Sequence, residues 1–266
     1  MEFNQILGYF LAVFVGITLG LIGSGGSILS VPILVYIMKV EPVLATAYSL
    51  FVVGFSALVG GIQKAKQQLV DFKKVLLFGV PTVLAVFLTR KFIVPNIPEI
   101  IFSNQSFSLH KPVFIMIFFA IVMIVASIKM IQPTKEVEIN ATEKLNYFAI
   151  FSQGLFIGLI AGFVGAGGGF LLIPALLFLA KTPMKMAVGT SLFIIAIQSL
   201  IGFLADITTQ VLDWKLMLTF TFCSLIGVFI GSFLSKKVSG EKLKKGFGYF
   251  VLLMGTYIIA KELFFS

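Results

Sequence analysis

Two segments broken by glycine and proline, each set inside a long apolar run, constrain this chain more than any other feature. The first reads GLIGSGGSILSVPIL from Gly20 to Leu34, and the second reads GFVGAGGGFLLIPAL from Gly162 to Leu176. The offset is a constant 142 positions, and Gly20, Gly23, Gly25, Gly26, Leu29, Pro32 and Leu34 recur as identities. A glycine costs about 1 kcal/mol in a helix interior and a proline about 3 kcal/mol. Neither segment can be one straight helix. Backbone released from helical bonding cannot face lipid, and survives only inside protein or along a cavity. Matched breaks in two halves of a membrane chain are the strongest sequence pointer to a transport site.

Composition places the chain in a membrane. Of its 266 residues 59% are hydrophobic and only 12% are charged, with a mean hydropathy of +1.08. Soluble domains carry about twice that share of charge. Several runs exceed the roughly 18 apolar residues that mark a spanning helix. The net charge of +9 comes from lysines in short loops between apolar runs, so it reads as a cytoplasmic face and not as a nucleic-acid surface. The one cysteine, Cys223, excludes an intramolecular disulfide. With a single histidine, His110, no catalytic or metal-binding set can be assembled, and no Walker lysine is present. The sequence therefore predicts no enzyme, no cofactor and no metal. Residues 3–22 have no basic residue ahead of them and read as a retained span, not a cleaved signal.

The fold class expected is an all-α polytopic membrane protein. It has two homologous repeats of about four hydrophobic segments, each opening with a broken helix or re-entrant hairpin. Residues 1–131 form the first repeat, 132–145 a charged linker and 146–266 the second. Beyond the glycines, Ala45, Ser49, Leu50, Phe51, Leu58 and Gly60 match Ala187, Ser191, Leu192, Phe193, Leu200 and Gly202, and Asp71-Phe72-Lys73 matches Asp213-Trp214-Lys215. Polar identities at one offset signify duplication. Residues 23–29 are expected to be extended, with a short helix from near Ser30 that tolerates Pro32 in its first turn. The third helix is expected over 73–90, followed by a polar link over 91–111. If each broken segment crossed the membrane, 9 of the 20 basic residues would share a face; if each were a hairpin, the repeats would be inverted and 14 would share it. The positive-inside rule selects the inverted arrangement, with both termini outside.

Consecutive glycines let amides face a cavity, and a helix beginning there adds partial positive charge. Two such breaks near the midplane could hold one anion. The candidate substrate-binding residues are Gly23, Ser24, Gly25, Gly26, Ser27 and Ser49 in the first repeat, and Gly165, Gly167, Gly168, Gly169, Thr190, Ser191 and Gln198 in the second. All donors in this set are neutral, and the sequence predicts no basic residue in mid-membrane. Close helix packing is the competing explanation for the glycines, and helix–helix hydrogen bonding for the serines. Every carboxylate is expected in a loop or at a helix end, with Asp71, Asp206 and Asp213 as boundary anchors or caps.

These same segments, with the D-F/W-K triplets that follow, resemble the TauE/SafE family of sulfite exporter-like membrane transporters over nearly the whole chain. Ser27 departs from the pattern where the second copy has Gly169, and Ser24 stands against Ala166. The resemblance implies a secondary transporter in the cell membrane that moves small anions, often sulfur-containing, such as sulfite or sulfonates. An anion channel or an accessory membrane subunit is the alternative. The partners expected are the lipid bilayer and the anion, with no nucleic acid. Proton coupling and homo-oligomerisation stay open.

Overall fold

The computed structural model describes residues 2–104, 107–132, 147–165, 167–178, 180, 182–207, 210–235 and 240–264. Helix α1 (Glu2–Ile22) ends at Gly23, and a 3-10 turn (Ser24–Leu29), one α turn, α2 (Ser30–Pro32), and a π turn (Ile33–Ile37) follow. Then come α3 (Pro42–Lys66), α4 (Phe72–Leu88), a π turn (Thr89–Ile93), α5 (Val94–Asn96), β1 (Ile100–Asn104), β2 (Phe107–His110) and α6 (Lys111–Ile131). The remainder is α7 (Tyr147–Val164), α8 (Gly169–Phe178), α9 (Met184–Ile207), α10 (Trp214–Leu234) and α11 (Gly240–Phe264). Among the described residues, seven helices are long and apolar enough to cross a membrane. The molecule is an all-α polytopic membrane protein. The expected linker, 132–145, lies outside the described residues apart from Gln132.

Without a hydrophobic drive between helices in lipid, small residues set the contacts. Gly16 and Gly20 of α1 lie against Ser224 and Val228 of α10, while Gly227 and Gly231 lie against Val13 and Ile17. A Cβ at Gly227 would sit 2.0 Å from the Val13 carbonyl oxygen, so the two backbones touch. Both helices advance together along this seam and are parallel. Helix α7 does the same to α4: Gly154 meets Pro81, Gly158 meets Thr82 and Gly162 meets Thr89. Under the 142-residue offset the α1–α10 pair becomes the α7–α4 pair. Between them α3 and α9 run antiparallel, with Gly54 on Leu200 and Gly60 on Leu192.

After Gly23 the chain turns back along α1, so that Met38 packs on Gly8. Residues 24–29 are not extended, as the sequence predicts, but a 3-10 turn. Buried amides need partners, and this turn supplies them locally: the Ser30 N–H donates to the Ser27 carbonyl. The third long helix also passes its predicted end at residue 90. Its axis runs on to Asn96 because the π turn carries the Val94 N–H to the Thr89 carbonyl, just ahead of Pro95. The link expected over 91–111 shrinks accordingly and contains an antiparallel hairpin, β1–β2, which pairs Asn104 with Phe107. Asp71 and Asp213 are N-caps, accepting from the amides of Lys74 and Leu216.

Candidate functional site

The second break is the better defined. Gly165, Gly167 and Gly168 hold φ of 70°, 68° and 57°, a region in which a side chain is strained. Gly169 opens α8, whose first-turn amides point back toward the break. Gln198, near the middle of α9, donates from Nε2 to the Gly167 carbonyl. Ser199 beside it lies so close that a Cβ on Gly167 would sit 2.9 Å from its Oγ. Both Gln198 Oε1 and Ser199 Oγ are buried, and among the described residues neither finds a hydrogen-bond partner. Orphaned polar atoms in a bundle interior are expensive unless a ligand uses them.

The 3-10 turn of the first break, but not Gly23 itself, comes to the same region. Gly23 turns the chain at φ 79° beside Val188 of α9, and the turn holding Ser24, Gly25, Gly26 and Ser27 packs against α8 and α9. Ser27 is fully buried, and its carbonyl accepts from Ser30 Oγ at 2.8 Å. Ser30 in turn shares a hydrogen bond with Ser49 of α3. Ser49 and the first break are thus in one buried polar chain.

Two further sequence candidates sit elsewhere. Thr190 Oγ1 accepts from the Asp71 amide at 3.0 Å, so it fixes the α3–α4 turn. Its repeat mate, Tyr48, does the same for Asp213 at 2.6 Å. Ser191 donates to the Val188 carbonyl of its own helix. Since α3 and α9 are antiparallel, Ser49 and Ser191 point to opposite ends of the bundle. Thr190 lies eight residues before Gln198, about 12 Å along the axis at 1.5 Å per residue.

The sequence predicts no basic residue in mid-membrane, and the structure buries one toward the end of a span. Arg90 lies inside the Phe72–Asn96 span with its side chain fully buried, and its Nη1 stands 3.3 Å from Asp206 Oδ2 of α9. Asp206, expected as a boundary anchor or cap, is half of a buried ion pair. Burial of either charge alone would be prohibitive, and pairing makes both tolerable. The guanidinium lies on the second break, since a Cβ on Gly165 would meet Arg90 Nη2 at 2.7 Å. Sequence reading missed Arg90 by ending the helix at it. It also missed Ser199, next to Gln198, and Ser30, three residues after Ser27.

This geometry can be set beside known proteins. The family profile described as Sulfite exporter TauE/SafE matches residues 9–258. The chain belongs to the TauE/SafE family. A probable membrane transporter protein of Xylella fastidiosa is 27% identical over 251 residues, covering 92% of this chain and 91% of its own. The probable membrane transporter protein YunE of Bacillus subtilis is 26% identical over 272 residues, covering 92% and 93%. A probable membrane transporter protein of Methanocaldococcus jannaschii is 32% identical over 111 residues, covering 40% and 42%. No solved structure matches. This TauE/SafE chain is therefore a multi-pass cell-membrane transporter and not an enzyme.

Proposed function

We propose that this transporter carries a small, sulfite- or sulfonate-like anion and binds it where its two glycine breaks converge. The observation that carries the reading is the buried, unbonded Ser199 Oγ packed against Gly167; the unbonded Gln198 Oε1 beside it only accepts, so it suits the O–H of a protonated oxyanion. A serine hydroxyl can donate, the second Nε2 hydrogen of Gln198 can donate, and the first turn of α8 adds amide dipoles. Gly25, Gly26 and Ser27 approach from the first repeat, and Gly165, Gly168 and Gly169 from the second. Ser49 supports the first set through Ser30. Neutral donors suit an anion that must also leave.

In this reading residues 1–131 and 146–266 are inverted repeats with both termini outside. The antiparallel α3 and α9, which are repeat mates, support it. So does the lysine count that places 14 of 20 basic residues on one face. Alternation between two mouths follows from rocking one repeat against the other. The test is flux of radiolabelled sulfite, methanesulfonate, thiosulfate and acetate into proteoliposomes, with and without an imposed pH gradient. Gradient-driven accumulation of a sulfur oxyanion, lost in Ser199→Ala, is the expected result. Purely passive flux would mean a channel. Protein-dependent flux of none of the four would refute the anion reading.

A further inference from the structure

Arg90 holds five N–H donors on a rigid fork, and the protein uses almost none of them. Among the described residues its Nε, Nη1 and Nη2 find no hydrogen-bond partner, and the 3.3 Å ion pair of Nη1 with Asp206 restrains it. Three elements enclose it. It rises from the π turn Thr89–Ile93 at the end of α4, faces Asp206 on α9, and lies against Gly165 at the second break. Gly165 also abuts Thr46 of α3, so the guanidinium stands where the chain leaves α7 for α8.

The arrangement is not repeated. Under the 142-residue offset Arg90 corresponds to Ser232 and Asp206 to Lys64. The mated positions therefore hold a serine and a lysine where this end holds an arginine and an aspartate. A pair required only to join α4 to α9 would be expected at the mated α10–α3 contact as well. Eight residues before those mated positions on each helix, Ser56 and Ser224 join α3 to α10 through a neutral 2.9 Å hydrogen bond.

We propose that Arg90 is a substrate-binding residue: a small oxyanion at the Gly165 end takes the guanidinium donors the protein leaves unbonded, in competition with the carboxylate of Asp206. A guanidinium is the side chain best matched to two oxygens of one oxyanion. Asp206 holds the fork in place and keeps the mouth electrically neutral while no anion is bound. The exchange breaks no covalent bond. It replaces one carboxylate by one oxyanion at the same cation, and the displaced Asp206 takes up a proton so that no unpaired carboxylate stays buried. This inference rests on the anion reading above and adds a charged station to its neutral one.

The test is equilibrium binding of sulfite, and separately of methanesulfonate, to the purified full-length protein in lipid nanodiscs. Arg90→Gln alone strands a buried carboxylate, so the decisive variant is Arg90→Gln with Asp206→Asn, which leaves a neutral pair able to hydrogen-bond. This double variant is expected to stay folded and to lose roughly tenfold to hundredfold in affinity, the range for removing a hydrogen-bonded charge. Asp206→Asn alone, purified with sulfite present to neutralise the guanidinium and then exchanged, is expected to bind several-fold tighter, because the competitor is gone while the cation stays. A purely structural pair would show neither shift, and wild-type affinity in the double variant would overturn the proposal while leaving the anion reading standing. Failure of the wild type to bind either probe would overturn both.

Discussion

Gly165→Ala is the most informative single-atom perturbation, because everything around that position is fixed. Gly165 holds φ of 70°, and an added Cβ would lie 2.5 Å from both Thr46 Cβ and the Thr46 carbonyl oxygen, and 2.7 Å from Arg90 Nη2. A left-handed conformation costs a non-glycine residue about 1–2 kcal/mol. Forcing a carbon into a packed contact adds about 1–3 kcal/mol, and here one neighbour is backbone, which cannot swing aside. The total is roughly 2–5 kcal/mol, or a fall in thermal midpoint of about 4–15 °C for a chain of this size. Gly79→Ala is the matched control: it lies within α4, and its added Cβ meets nothing within 4 Å. Alanine is also the better helix former there by about 1 kcal/mol. Thermal unfolding in detergent followed by size-exclusion chromatography should show Gly165→Ala well below wild type and Gly79→Ala at or above it. Sulfite binding by the folded fraction of Gly165→Ala should also fall, since Arg90 must move. Equal midpoints and equal binding for the two variants would refute the packing of Arg90 against the break.

Three further outcomes follow from the same structure. In a Cys223→Ser background, single cysteines at Lys39 and His110 should react with an impermeant maleimide from outside, and those at Gln67 and Lys185 only from the cytoplasm; labelling of positions 39 and 185 from one face would reject inverted repeats. Ser49→Ala removes the partner of buried Ser30 and should weaken anion binding by about 1–2 kcal/mol, whereas Ser191→Ala, whose hydroxyl bonds only its own helix, should change binding by less than about 0.5 kcal/mol. Gly227→Leu should abolish folded protein, because its Cβ would lie 2.0 Å from the Val13 carbonyl oxygen, while Gly60→Ala, with its nearest neighbour at 3.4 Å, should be accumulated at wild-type levels.

What could be read from the chain divides along a physical line. The 142-residue repetition can be read in the sequence because polar identities such as Asp71/Asp213 and Ser49/Ser191 keep one offset, and a membrane interior tolerates polar residues only in specified places. Helix starts were legible where a single residue makes the cap, as at Asp71 and Asp213. The π turn at Thr89–Ile93 was not, since its widened hydrogen bonding answers to a proline two residues further on and to packing against α7 and α9. Ending the helix at residue 90 then hid the one buried arginine. Its partner Asp206 looked like a boundary carboxylate because a linear count of charges cannot show which two will neutralise each other. Thr190 and Tyr48 teach the converse. They occupy repeat-equivalent positions and accept from equivalent amides, yet one is a hydroxyl on a short side chain and the other a phenol. A conserved job with an unconserved residue leaves no trace in an identity match.

The direct test of the central claim is the position of the bound anion. Selenite has the shape and charge of sulfite and scatters anomalously at the selenium edge, so crystals of the wild-type protein grown with it would locate the ion without ambiguity. The account predicts an anomalous peak between the Ser24–Leu29 turn and the start of α8, within hydrogen-bond distance of Ser199 Oγ. A transport-competent protein whose selenite peaks lie only on the lysine-rich face, with none beside Gly167, Gln198 and Ser199, would contradict it.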